Sequence, residues 1–150
     1  MAKIKITFPD GSKREYTKGA TALEIIKKDI GEGLARIALA AKLDDESIDL
    51  TTPITKNGKL IVLTFKDKEG LEIFRHSTAH VLAMAVKKLF PNVKLTIGPT
   101  VEEGFYYDFD KKEAFHPEDL EKIEKEMESI VKQNTKFERI ELTKEEAKKV

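Results

Sequence analysis

Two histidines one helical turn apart are the residues of this chain with the clearest potential for chemistry. His76 and His80 lie four positions apart in a run that predicts a helix over residues 72 to 90. Their imidazoles then share one helix face, with Cβ atoms roughly 6 Å apart. A neutral histidine acts as acid, base or hydrogen-bond partner near pH 7. From the spacing alone, two surface histidines without a chemical role are the favoured interpretation.

The residues around the pair argue against a metal site and predict an open environment. A zinc-peptidase helix needs Glu directly after the first histidine, where this chain has Ser77. A zinc site also needs a third protein ligand, so no metal site is expected here. At 100° per residue the pair lies nearly opposite the predicted apolar stripe of the helix. That stripe consists of Phe74, Thr78, Val81, Leu82, Ala85 and Leu89.

A segment rich in glycine and aromatic residues is the second candidate region. Residues 93 to 97 and 105 to 109 are predicted to pair as a hairpin, with bends at Gly98-Pro99 and near Gly104. Phe105 and Tyr106 alternate faces, so one is expected to pack inward while the other is free. Packing is the favoured role of these rings, and the alternative is that the exposed ring stacks on a base or a ribose. His116 precedes Pro117 and is expected only to start a helix.

The first 64 residues predict a small sheet with one helix. Period-two alternation indicates a hairpin over residues 3 to 17, and further strands are predicted at 37–43, 48–50 and 59–64. Thr21 with Glu24 forms a capping-box pattern for a helix that ends by Gly31 or Gly33. The order ββαβββ is that of a ubiquitin-like β-grasp.

A second unit is predicted after a polar linker at residues 65–71. Its elements are the histidine helix, the hairpin, a helix over 117–134, a strand over 137–142 and a helix opening at Thr143. The apolar face of the 117–134 helix is predicted to comprise Leu120, Ile123, Met127, Ile130 and Val131. Because the last helix is left after two turns, the chain is expected to be cut from a longer protein. The expected fold class is α+β, with a β-grasp at 1–64 and a truncated α+β domain at 72–150.

Composition restricts the class of protein. The 150 residues carry 27 Lys+Arg and 27 Asp+Glu, so no global positive field favours nucleic acid and any RNA contact must be local. Cysteine is absent, which rules out disulfides and thiolate nucleophiles in this chain. No apolar run suits a signal peptide or a membrane span, so a cytoplasmic location is expected.

Taken together, these motifs resemble the amino-terminal part of the threonyl-tRNA synthetase family. Residues 1–64 are similar to its TGS domain, a β-grasp module. The run Arg75-His76-Ser77-Thr78-Ala79-His80, followed by Leu82, Lys87 and Pro91, resembles the helix that opens the family's editing domain. Ile97-Gly98-Pro99 and Gly104-Phe105-Tyr106-Tyr107-Asp108 resemble that domain's hairpin.

The resemblance implies a function and a set of site residues. The family ligates threonine to its tRNA with ATP and hydrolyses seryl-tRNA formed by mistake. Carried over, His76 and His80 are the catalytic candidates, and the substrate-binding candidates are Gly98, Pro99, Tyr106, Tyr107 and Asp108. The family completes this editing site with a downstream Cys-x-x-x-His, which these 150 residues lack.

The remaining implied properties belong to the parent protein. Its catalytic core, absent from these residues, is expected to hold ATP, magnesium and zinc and to form a homodimer, while this chain alone is expected to be a monomer that holds no cofactor. Threonine tRNA is the expected partner, and no membrane is involved. The alternative is a non-catalytic RNA- or protein-binding adaptor built on a TGS fold. A downstream Cys-x-x-x-His would support the synthetase.

Overall fold

A computed structural model describes residues 2–135 and 140–149. Its first elements are strands and helices in the order β1 (Lys3–Thr7), β2 (Lys13–Thr17), α1 (Ala22–Asp29), α2 (Glu32–Ile37), β3 (Ala40–Leu43), β4 (Glu46–Ile48) and β5 (Gly58–Leu63). They are followed by α3 (Lys68–Leu89), β6 (Lys94–Leu95), β7 (Thr100–Val101), β8 (Gly104–Phe105), β9 (Phe109–Asp110), α4 (Pro117–Lys132) and α5 (Lys144–Ala147).

A five-stranded mixed sheet forms the first part of the fold. The strand order is β2-β1-β5-β3-β4, with β1 and β5 parallel and the other neighbours antiparallel. The capping box predicted at Thr21 opens α1, where Thr21 and Glu24 satisfy each other's backbone N–H. The predicted β-grasp and the α+β fold class are confirmed.

The two faces of this sheet differ in what they contact. The inner face packs on α1 and contributes to a buried cluster, named here the sheet core. Its members are Ile4, Ile6, Phe8, Tyr16, Ala22, Ile25, Ala41, Leu43, Ile54 and Leu60. The opposite face, named here the outer face, carries Lys3, Lys5, Thr7, Lys13, Glu15, Thr17, Ala40, Lys42, Ser47, Lys59, Ile61 and Leu63.

The prediction of one strand over residues 37–43 is wrong in its first half. Gly31 has a φ of 131°, a value that suits glycine, and a second short helix α2 begins directly after it. Ala38 is extended, and β3 starts only at Ala40. The helix propensity of Ala35 and its neighbours therefore prevails up to Ile37.

A long helix and two very short antiparallel ladders follow the sheet. β7 pairs with β8, and β6 pairs with β9, each over two residues. A second buried cluster, named here the helix core, consists of Ala85, Val86, Val93 and Ile123. Around it pack Leu82, Leu89, Phe90, Phe109, Phe115, Met127 and Ile130.

The chain forms two compact units, and α3 contributes to both. The first comprises Met1–Ala79 and Gly98–Tyr107, and the second comprises His80–Ile97 and Asp108–Val150. Residues 68 to 71 of the predicted linker 65–71 are not a linker, because α3 begins at Lys68 rather than at Glu72.

The apolar faces of both long helices are rotated from those predicted. In α3, Phe74 is 43% exposed, whereas Ala79, Ala83 and Val86 are buried. In α4, Ile123 is buried as predicted, but Leu120 and Val131 are exposed. Asp119, which was not predicted to lie on this face, is buried. Because alanine side chains are small, a neighbouring element can approach the helix closely where they lie. The buried face of α3 therefore contains alanines, and a prediction based on large apolar residues does not find it.

Three further features concern the carboxyl-terminal part. Of the strand predicted over residues 137–142, residues 137–139 lie outside the described residues, and 140–142 are not in a strand. α5 begins with the expected capping box at Thr143. Across the described ranges, no helix combines the length and apolarity needed to cross a membrane.

Candidate functional site

The start of α3 is fixed by a tight turn after β5. The Asp67 carboxylate accepts hydrogen bonds from the backbone N–H of Thr64 at 2.7 Å and from its hydroxyl at 2.9 Å. These donors favour the ionised form, so the pKa of Asp67 is held below its ordinary value, with the backbone bond as the largest cause. The segment that leads to the histidine helix is therefore ordered by its own hydrogen bonds.

Gly70 lets this turn close. A Cβ atom at Gly70 would overlap the backbone carbonyl oxygen of Thr64, which packs directly on the first turn of α3. The residue is buried, and its helical φ requires no glycine, so close approach is the reason for its lack of a side chain.

Glu69 ties the first turn of α3 to the outer face of the sheet. Its carboxylate accepts a hydrogen bond from Lys42 Nζ at 2.8 Å, and its other oxygen accepts one from the Ser47 hydroxyl. The bond from Lys42 is the largest cause of the lowered pKa of Glu69, and the same bond raises the pKa of Lys42. The β-grasp thus holds the amino-terminal end of the histidine helix.

Arg75 connects α3 to the predicted hairpin. Its Nη1 donates to the carbonyl oxygens of Glu102 at 2.7 Å and Val101 at 3.3 Å, in the turn between β7 and β8. Phe74, the preceding residue, packs edge-to-face on Phe65 with ring centroids 4.8 Å apart. The turn of the hairpin therefore meets α3 one residue before His76.

Within the hairpin, four of the five predicted substrate-binding residues pack or bond in pairs. Gly98 lies under the ring of Tyr107, which a Cβ at Gly98 would overlap. The Pro99 carbonyl accepts from the backbone N–H of Tyr106 at 3.4 Å, while the Tyr106 side chain is 51% exposed. Phe105 is half-buried. The expected alternation of Phe105 and Tyr106 is present, and Tyr106 is the ring available for stacking.

Asp108, the fifth predicted residue, lies in the second compact unit. Its backbone N–H donates to the Ile97 carbonyl at 2.9 Å, and its carbonyl accepts from the Thr96 backbone at 3.2 Å and from the Thr96 hydroxyl at 2.5 Å. The exposed carboxylate is not used in these bonds. Backbone pairing therefore fixes its position and leaves the acid group at the surface.

His76 and His80 both lie on α3, one turn apart, and both are exposed. Ala79, next to His80, is buried, so α3 packs on its surroundings along the face directly beside the pair. His116 stands directly before α4, where its backbone N–H donates to Asp119, as expected for a residue that starts a helix.

Among the described residues, no metal site is assembled around the pair. In the part of the chain that the structure describes, no three His, Asp or Glu residues are grouped as metal ligands. An open cavity of about 780 Å³ lies between the start of α3 and the β7–β8 turn. Its lining includes Leu71, Arg75 and Thr100 but neither histidine. A groove that receives both imidazoles stays a prediction.

Sequence reasoning missed the residues that hold this region together. Asp67 directly before the helix is an N-terminal signal, yet the polar run up to Gly70 also matched a linker. Glu69 and Arg75 gave no local signal because their partners are 22 to 27 residues away.

Comparisons with known proteins give the family context. Residues 4–64 match the family model described as TGS domain. The chain is 54% identical to a threonine–tRNA ligase of Desulforamulus reducens and 51% identical to one of Geobacillus sp., each over 96% of this chain and 22% of the relative. It is 47% identical to that of Oceanobacillus iheyensis over 100% of this chain and 23% of the relative. The chain therefore spans less than a quarter of the length of these relatives.

The resemblance predicted from the sequence motifs is thus confirmed: residues 4–64 match the TGS domain model, and nearly the whole chain is similar to part of the threonine–tRNA ligases.

Proposed function

We propose that this chain is the amino-terminal region of a threonine–tRNA ligase and contains the first part of its editing domain. The observation that carries the proposal is the identity of about half of all residues to such ligases across 96% or more of the chain. In this proposal residues 1–64 are the TGS domain and residues 72–150 belong to the editing domain. Threonine tRNA is the partner.

The proposed editing reaction is hydrolysis of the ester in seryl-tRNA. Water adds to the ester carbonyl, the bond to the ribose oxygen breaks, and serine and tRNA with a free terminal hydroxyl are released. His76 and His80 are suited to position the water or to transfer its proton, because both are exposed and stand one turn apart. The exposed Tyr106 ring is suited to stack on the terminal nucleoside.

Hydrolysis of seryl-tRNA compensates for the limited selectivity with which a binding site distinguishes threonine from serine. Serine lacks one methyl group of threonine, and a methyl-sized difference discriminates between two substrates by only about 1–3 kcal/mol. A separate hydrolytic site removes the smaller product that the synthetic site accepts. Hydrolysis of a ribose ester at such a site uses hydrogen-bonding groups and a positioned water.

The synthetic reaction belongs to the part of the relatives that this chain does not cover. We assign ATP, magnesium and zinc, the dimer contact and the rest of the editing site to that part. Among the described residues of this chain, no three potential metal ligands lie together. We place the parent protein in the cytoplasm.

Activity assays on two proteins test the proposal. The complete protein that contains this chain is expected to charge threonine tRNA with threonine in the presence of ATP and to hydrolyse purified seryl-tRNA. The 150-residue chain alone is expected to show no threonine-dependent pyrophosphate exchange. The assignment is wrong if the complete protein charges another tRNA, or if the short chain exchanges pyrophosphate by itself.

A further inference from the structure

We propose that the uncovered half of the outer face of the sheet is a surface that binds the phosphate backbone of RNA. This basic face is defined by Lys3, Lys5, Thr7, Lys13, Glu15, Thr17 and Lys59. The proposal depends on these side chains alone, and it stands whether or not the histidine pair hydrolyses an ester.

Strand register collects the lysines on one side of the sheet. Thr7 of β1 is opposite Lys13 on β2 and opposite Lys59 on β5, and residues directly opposite each other share a face. Lys5 lies two residues before Thr7, about 7 Å along the same strand and on the same face. Three lysines on three neighbouring strands therefore lie around Thr7 on one face of the sheet.

Most of the remainder of the outer face is bonded to α3 or buried. Glu69 of α3 bonds to Lys42 and Ser47 there, and Ala40 and Leu63 on the same face are buried. By contrast, Lys3, Lys5, Lys13 and Lys59 are all exposed. The start of α3 thus uses one half of the face and leaves the basic half open.

The charges of the basic face are poorly compensated. Glu15 is its one acidic residue, and it pairs with Lys3 at 3.2 Å across exposed side chains, a contact of little energetic weight. Within residues 2–135 and 140–149, the side chains of Lys5, Lys13 and Lys59 make no ion pair or hydrogen bond. The nearby Asp44 carboxylate accepts from the backbone N–H of Lys59 at 2.8 Å, at the end of the strand.

The chemistry of the face favours RNA phosphates over a protein partner. The cores of protein interfaces are enriched in aromatic residues and depleted in lysine, whereas the basic face has four lysines and no aromatic ring. Lysines that contact phosphates release counterions and bind without reading sequence. Because the whole chain has no net charge, such binding has to come from a local patch.

Salt dependence of RNA binding tests the proposal on the intact 150-residue chain. The probe is a short hairpin RNA of arbitrary sequence, measured by fluorescence anisotropy. Each neutralised phosphate contributes about 0.9 to the slope of the logarithm of the binding constant against the logarithm of the salt concentration. With three phosphates neutralised, the binding constant is expected to fall about 40-fold between 50 and 200 mM salt. The triple variant Lys5→Gln, Lys13→Gln, Lys59→Gln should weaken binding at low salt at least tenfold and flatten this dependence.

A variant of equal charge separates this surface from general electrostatics. Lys27→Gln, Arg36→Gln, Lys125→Gln removes three exposed cations from helices α1, α2 and α4 and should keep most of the binding and its salt slope. Circular dichroism spectra that match the parent chain establish that both variants are folded. Equal loss in the two triple variants would overturn the proposal.

Two other polyanions distinguish the classes of partner. Poly-glutamate and vesicles containing phosphatidylserine are expected to bind more weakly than the RNA hairpin at the same salt concentration. If poly-glutamate binds as tightly as RNA, the face is a site for an acidic protein. If the vesicles bind and RNA does not, it is a membrane-surface site, and either result overturns the RNA assignment.

Discussion

The sheet core and the helix core show two ways in which one chain buries apolar side chains. Ten residues are buried in the sheet core, drawn from four strands, α1 and the segments joining them, whereas the helix core has four buried residues and seven partly buried ones around them. Strand pairing fixes the first cluster over a wide area. The second depends on the packing of α3 and α4, and the ladder in the same unit, β6–β9, is only two residues long. The sheet core should therefore tolerate truncation least.

Matched isoleucine truncations test this difference. Ile6 is 0% exposed in β1 and Ile123 is 5% exposed in α4. We expect Ile6→Ala to lower the free energy of unfolding by about 4 kcal/mol and Ile123→Ala by about 2 kcal/mol. The smaller effect follows from partly buried neighbours that can relax and from the high helix propensity of alanine. Urea denaturation measures both.

Leu120→Ala is the control for this pair, because Leu120 is 62% exposed on the same helix as Ile123. It should change the free energy of unfolding by less than about 0.5 kcal/mol. An Ile123→Ala variant that loses as much stability as Ile6→Ala would remove the difference between the two cores.

Glycine substitutions test the close contacts around the histidine helix. Gly70→Ala and Gly98→Ala introduce a Cβ against the Thr64 carbonyl and the Tyr107 ring, respectively. Each is expected to lower the free energy of unfolding by about 1–3 kcal/mol. Thermal denaturation of the two variants measures this loss.

Gly33→Ala provides the opposite expectation. Gly33 lies in α2 with nothing within 4 Å of an added Cβ, so alanine should stabilise the chain by up to about 1 kcal/mol through helix propensity. A Gly70→Ala variant that gains stability like Gly33→Ala would show that Thr64 does not pack on the helix as described.

Acid should weaken the tie between the β-grasp and α3. Asp67 and Glu69 have pKa values lowered from 3.8 and 4.5 by the bonds from Thr64 and Lys42. A carboxyl with a lowered folded pKa stabilises the fold above its unfolded pKa, and this stabilisation is lost as pH falls through the folded pKa. The free energy of unfolding should thus decline below pH 4.5.

The double variant Asp67→Asn, Glu69→Gln should show a smaller decline with acid than the parent chain, in urea denaturation series at several pH values. Glu72→Gln, which removes an exposed carboxylate of the same helix, should leave the decline unchanged. If all three proteins lose stability in parallel, these two carboxylates do not hold the start of α3.

The sequence predicts structure well where one residue pattern has one physical solution. Alternation in residues 3 to 17 and the capping pattern at Thr21 led to the hairpin and α1, because burial of one face fixes register. The prediction of a linker at residues 66 to 70 failed because a polar run with glycine is typical both of a linker and of the capped start of a helix. Only the distant partners of Glu69 and the close approach of Thr64 decide between them.

The candidate site divides in the same way. Spacing placed His76 and His80 on one helix with both exposed, as the structure has them. It did not reveal that buried alanines beside the pair form the contact face, or that Arg75 anchors the hairpin turn. Those features depend on chain segments that are distant in sequence.

Single-turnover hydrolysis of purified seryl-tRNA by the complete protein tests the central claim most directly. We expect His76→Ala, His80→Ala to reduce the hydrolysis rate at least a hundredfold while threonylation of tRNA keeps its rate, since positioned acid–base groups contribute about 10²–10⁴-fold. His116→Ala, which changes the exposed histidine at the start of α4, should leave both rates unchanged. A double variant that clears seryl-tRNA at the normal rate would contradict the assignment of this helix to editing.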